Sequence, residues 1–174
     1  SLLSPDDQRI LRALSIFRGG FTSAALRDVT GASLNVLVRL VDCSFVHVTG
    51  EGRYDIHPLV SQILYERLQA SGEVELIHVA HATCYANFIN KWTESLKGGQ
   101  QLQALKAIQS DNANIQLAWH WVIENEDYET INKMWEARLF NTGIDGEPFF
   151  ENDELVSKLE QSPMVSHLVH GYIL

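Results

Sequence analysis

A β-hairpin signal standing behind three short helical runs is the feature that most limits what this chain can fold into. Phe45-Val46-His47-Val48 and Arg53-Tyr54-Asp55-Ile56 run apolar or alternate on either side of the turn Thr49-Gly50-Glu51-Gly52, the pattern of two paired strands. Ahead of them, Ser4-Pro5-Asp6-Asp7 supplies an N-cap, a first-turn proline and two acids at the positive end of the helix dipole. Ile10, Leu11, Leu14 and Phe17 then recur at helical spacing until Arg18-Gly19-Gly20 ends the run, and Phe21 is expected to anchor the next turn in the core. Thr22 or Ser23 caps a second helix that Gly31 closes. Ser33 caps a third, reaching about Cys43, with Leu34, Leu37, Val38 and Val41 apolar. Three helices and a hairpin form the order of a winged helix, and Pro58 opens a fourth helix with Leu59, Ile63, Leu64 and Leu68 apolar, ending at Ser71-Gly72.

Gly72 is taken as a domain boundary: residues 1–72 form the winged helix and residues 73–174 a helical, tetratricopeptide-like bundle, so the fold class is mainly α. The second part is expected to hold helices over about 73–96, 101–125 and 127–141. Ile77, Ala80, Cys84, Phe88 and Trp92 fit its apolar period. No clean 34-residue repeat recurs. Residues 142–174 are expected to contain a loop, a short acidic helix from Asn152 and a last helix after Pro163.

Charge separates the two parts. Residues 1–72 balance seven arginines against seven acids, so the net charge of -9 lies entirely in residues 73–174. Phosphate-backbone binding by that second part is disfavoured. Cys43 and Cys84 form no pairing pattern, which favours a reducing, cytoplasmic setting. No apolar run reaches the ~20 residues of a membrane helix. The chain opens at Ser1 without a methionine, and the expectation is a piece of a longer polypeptide.

Leu14-Ser15-Ile16-Phe17-Arg18-Gly19-Gly20-Phe21-Thr22 resembles the first winged-helix segment of bacterial STAND signal-transduction ATPases. These include large transcriptional regulators of the MalT, AfsR and LuxR-like types and are related to plant NB-ARC proteins. The likeness continues through Leu37-Val38-Arg39-Leu40-Val41-Asp42-Cys43-Ser44-Phe45, Arg53-Tyr54-Asp55-Ile56-His57-Pro58-Leu59-Val60 and Ile63-Leu64-Tyr65-Glu66-Arg67-Leu68. Further on, Ser110-Asp111-Asn112-Ala113-Asn114-Ile115-Gln116-Leu117-Ala118-Trp119 is similar to the start of the tetratricopeptide-like arm of the same proteins, whereas the tail after Asn141 departs from their pattern. The resemblance implies that the winged helix folds against an upstream nucleotide-binding domain and that His57 reaches an ADP phosphate there. Pro58 replaces the aspartate of the plant motif, which removes a carboxylate but gives the next helix a good first residue. Read from the residues alone, His57 is a capping or hydrogen-bonded structural histidine.

Other chemistry is weighed against packing. No Gly-x-x-x-x-Gly-Lys-Ser/Thr run occurs, so this stretch is expected to lack ATPase activity of its own, to carry no cofactor, and to leave ADP or ATP to the upstream domain. His78, His81 and Cys84 stand three apart on a helix. Each step of three turns the side chain by about 60°, so the outer two diverge and packing is preferred over zinc. His167 and His170 are read the same way. Trp92, Trp119, Trp121 and Trp135 are assigned to the core, and no nucleophile constellation accompanies the serines. The third helix offers DNA only Asn35 and Arg39, so direct DNA reading is disfavoured. The sequence thus points to a regulatory, protein-interaction segment whose helical arm receives an unknown protein or small-molecule inducer, with no membrane contact. The alternative is a DNA-binding winged helix with an accessory dimerisation bundle.

Overall fold

In a computed structural model describing residues 3–50, 52–96 and 99–138, the chain is a winged helix joined to a helical bundle. Helix α1 spans Pro5–Ala13 and tightens into a 3-10 turn at Leu14–Ile16. Ser4 Oγ accepts the Asp7 N–H at 3.1 Å, closing the predicted cap. Strand β1 (Phe21–Thr22) leads into α2 (Ser23–Thr30), whose N-cap Thr22 accepts the Ala25 N–H and whose end is Gly31 at φ 72°. Helix α3 (Leu34–Asp42) precedes β2 (His47–Gly50) and β3 (Arg53–Asp55), and α4 runs Pro58–Ser71 to Gly72.

The sheet order is β1-β3-β2, all antiparallel, with Phe21 opposite Tyr54 and Val48 also opposite Tyr54 from the other side. The sequence reading assigned Phe21 a core role but no strand. The two-residue strand is too short to alternate, and only pairing with β3 makes it one. Phe21 is buried and stacks on Phe17, ring centroids 4.9 Å apart.

The arm comprises α5 (Val74–Leu96), α6 (Gln101–Ser110), α7 (Asn112–Glu124) and α8 (Tyr128–Arg138). The single helix expected over 101–125 is thus two, divided at Asp111. Ser110, Asp111 and Asn112 are residues whose side chains compete with the backbone for hydrogen bonds and favour helix ends. Helix α5 is central, packing on α2, α6, α7 and α8. Its buried stripe is Ile77, His81, Ala82, Tyr85, Ala86, Ile89 and Thr93, shifted by about one position from the apolar series read in the sequence. Trp119 and Trp135 are buried and Trp92 and Trp121 half-buried, as core residues should be. One apolar core runs from Leu11 and Leu14 across Gly72 into Ala82, Ile115 and Trp119. The expected final turn of the third arm helix, the loop and helices placed in 142–174, and His167 and His170, lie outside the described residues. Among the described residues no helix is long and apolar enough to cross a membrane.

Candidate functional site

Three places bear on function: the joint between winged helix and arm, the turn holding His57, and the outer face of α3.

The joint is built on two glycines and an interrupted helix. Gly19 and Gly20 take φ 70° and 82°, a left-handed pair that folds the chain back after the 3-10 turn. A Cβ at Gly20 would come 2.7 Å from the Tyr54 carbonyl oxygen, so the turn sits directly on β3. Gly19 in turn approaches Ala113 on the first turn of α7. Asn114, wholly buried, stitches the contact: its Oδ1 accepts the Arg18 N–H at 2.7 Å and its Nδ2 donates to the Gly20 carbonyl at 2.9 Å. Asp111 stands at the N-cap of α7 but makes no capping bond with its side chain. Its carboxylate instead grips Arg53 of β3 through two bonds of 3.0 Å and accepts the Tyr85 hydroxyl at 3.2 Å. Arg53 also donates to the Gly19 carbonyl at 3.3 Å. The break between α6 and α7 is what places Asp111 and Asn114 side by side against the turn.

His81 completes this network. Asn114 Oδ1 can only accept, so the 3.3 Å contact fixes the His81 proton on Nε2. Burial pushes the His81 pKa down to about 4, outweighing the Asn114 bond that opposes the shift. His78, one turn earlier, stacks on Trp121 at 6.1 Å and lies 3.3 Å from the Tyr65 hydroxyl of α4, and burial lowers its pKa too. Burial pushes the Cys84 thiol up to about 12, which favours its protonated form. Among the described residues no three His, Cys, Asp or Glu side chains are grouped so as to hold one metal ion.

His57 caps α4. Its Nδ1 accepts the Leu59 N–H at 3.3 Å, and the residue is exposed. A neutral ring accepting at Nδ1 carries its proton on Nε2 and so presents a donor. Its chain neighbours Ile56 and Pro58 line a surface pocket of about 390 Å³ shared with Arg18, Asp55, Ser61 and Tyr65. Arg18 is already committed there: its guanidinium donates to the Ser15 and Phe17 carbonyls at 2.9 and 3.1 Å and lies over the Tyr65 ring.

The outer face of α3 leaves two apolar side chains exposed beside Asn35, Arg39 and Asp42. Leu37 and Leu40 are buried, whereas Leu34 is 61 % and Val38 50 % exposed, and Val48 on β2 is likewise exposed. This corrects the apolar face expected for α3, as Leu59 and Ile63, both exposed, correct that of α4. A helix of this length buries only one stripe, and a longer apolar series must leave members outside. Arg39 donates to Asp7 through Nε at 3.3 Å and a terminal nitrogen at 2.6 Å. That bond, with help from Ser4, lowers the Asp7 pKa and raises that of Arg39.

Of the joint residues, Asp111 and Asn114 fall in a stretch whose likeness to an arm is legible, but their pairing with Arg53 and Arg18 spans 58 and 96 positions and has no local signature. The usable signal is the Asp-x-x-Asn spacing behind a serine, which marks a helix start rather than a helix interior.

The chain is similar to proteins provisionally named HTH-type transcriptional regulators, from Mycobacterium bovis and two strains of Mycobacterium tuberculosis. Each is 33% identical over 132 residues, covering 68% of this chain and 15% of the relative. The chain spans only that small part of the length of these relatives. No family model matches it, and no solved structure gives a significant match.

Proposed function

We propose that this chain is a non-catalytic regulatory and protein-interaction segment of a larger, cytoplasmic STAND-type transcriptional regulator. In this reading the winged helix couples to an upstream nucleotide-binding domain and the helical arm receives a partner or inducer. The observation that carries it is the outer face of α3. A DNA-reading helix sets cations and amides toward the groove and phosphates. Here that face sets out Leu34 and Val38 with one amide, Asn35, and its one arginine is bound by Asp7. Such a surface suits an apolar protein face better than a run of phosphates. The relatives are named for a helix-turn-helix, but with 15% of their length matched that element is not assigned to this stretch.

The measurement that tests this is fluorescence anisotropy of random-sequence duplex DNA titrated with the protein at low salt. No binding is expected, and tight, salt-sensitive binding overturns the reading in favour of a DNA-binding winged helix.

His57 is the residue assigned to nucleotide sensing. A capping imidazole with its proton on Nε2 can donate to a phosphate oxygen of ADP held by the upstream domain, and loss of that bond would free the winged helix. In the full-length protein, His57→Ala is expected to weaken ADP retention or raise basal activity, and no change in either contradicts the role.

A further inference from the structure

Between α1 and α4 lies a second pocket, of about 280 Å³, that the proposed function does not use. Its walls are Leu3, Leu11, Phe45 and Leu64, and two guanidinium side chains, Arg12 and Arg67, stand among them. The Leu3 carbonyl accepts a 3.0 Å bond from the Gln8 side chain, which fixes the Leu3 wall.

Arg67 differs from the other arginines of the winged helix, and Arg12 is only partly satisfied. Arg9 pairs with Asp6, Arg27 with Asp28, Arg39 with Asp7 and Arg53 with Asp111, while Arg18 binds helix-end carbonyls. Arg67 makes no ion pair or hydrogen bond among the described residues. Arg12 Nε is buried without a hydrogen-bond partner, and its nearest carboxylate, Glu73, lies 3.6 Å from a terminal nitrogen. A charged donor buried without an acceptor is costly, so Arg12 is an incompletely satisfied cation at the pocket wall.

We propose that this pocket binds a small apolar carboxylic acid, its tail against Leu3, Leu11, Phe45 and Leu64 and its carboxylate accepting from Arg12 and Arg67. Two cations with Glu73 beside them leave a single positive charge, which matches a monoanion and opposes a phosphate dianion. The volume, at the small end of ligand pockets, and the apolar walls select a short acyl or aryl chain. A planar carboxylate is also the group that a guanidinium fork fits best.

The test is a titration of the isotope-labelled protein with hexanoate, followed by amide NMR shifts, with hexan-1-ol and inorganic phosphate as controls. Saturable shifts are expected at the amides of Leu11 and Leu64, with a dissociation constant on the order of 1 mM or tighter. The alcohol and phosphate should bind at least about tenfold more weakly, as should hexanoate to Arg67→Met. Arg67 is exposed, so that variant keeps the fold, and Arg12→Met should weaken binding in the same sense. Absence of saturable shifts at these amides overturns the proposal. So does equal binding of hexan-1-ol or phosphate, or undiminished binding in both variants.

Discussion

Two bidentate arginine–aspartate pairs hold the winged helix, one on its outer side and one at the arm, and their surroundings differ more than their geometry. Arg39 reaches Asp7 at 2.6 Å with its own side chain 51% exposed, whereas Arg53 meets Asp111 at 3.0 Å with only 17% exposed. The outer pair joins two helices of one unit, and water competes for it, as for most surface ion pairs. The inner pair joins β3 to α7, is shared with Tyr85 and Gly19, and lies beside the fully satisfied Asn114. The same chemistry therefore closes a surface in one place and fastens two parts of the chain together in the other. The outer face leaves Leu34 and Val38 exposed, while the inner face is already occupied by the arm.

If that contrast is right, the largest effect should follow from Asp111→Ala. It leaves Arg53 without its carboxylate in a mostly buried site and should cost about 3–5 kcal/mol in denaturant unfolding. A loss no greater than that of Arg39→Met would erase the distinction between the pairs.

The next effect is one of pH. The His81 pKa falls from 6.5 to about 4 on folding, so its contribution is intact above pH 6.5 and is lost as pH falls toward 4. Stability should decline by up to about 1.4 kcal/mol per pH unit in that window, and less steeply in His81→Gln. Parallel curves for the two proteins would mean that His81 does not carry the dependence. Lowered on burial, His78 acts in the same direction and remains in both proteins.

The smallest effect should come from the outer face. Leu34→Lys with Val38→Lys should change stability by no more than about 0.5 kcal/mol, because both side chains are exposed. A marked loss would show that this face is packed rather than open.

Much of the winged helix is legible in the sequence because its boundaries are chemical. Ser4-Pro5, Thr22, Gly31, Pro58 and Gly72 each cap or end a helix where their side chains or left-handed backbone predict. What escapes is what depends on distant chain. Strand β1 exists only by pairing with Tyr54 and Arg53. The α6–α7 break looks like helix interior until Asp111 is seen gripping Arg53. Which members of an apolar series are buried is likewise a property of the neighbours, and so Leu34, Val38, Leu59 and Ile63 emerge at the surface. His57 is legible as a cap, and the cap is in place.

The central claim, that the joint fastens the winged helix to the arm, has a direct measurement. All four tryptophans lie in the arm, so their fluorescence reports its unfolding, while amide exchange at Leu37 and Leu40 of α3 reports the winged helix. The joint predicts one denaturant midpoint for both probes, split by Asp111→Ala. Separate midpoints in the unmodified protein would contradict it.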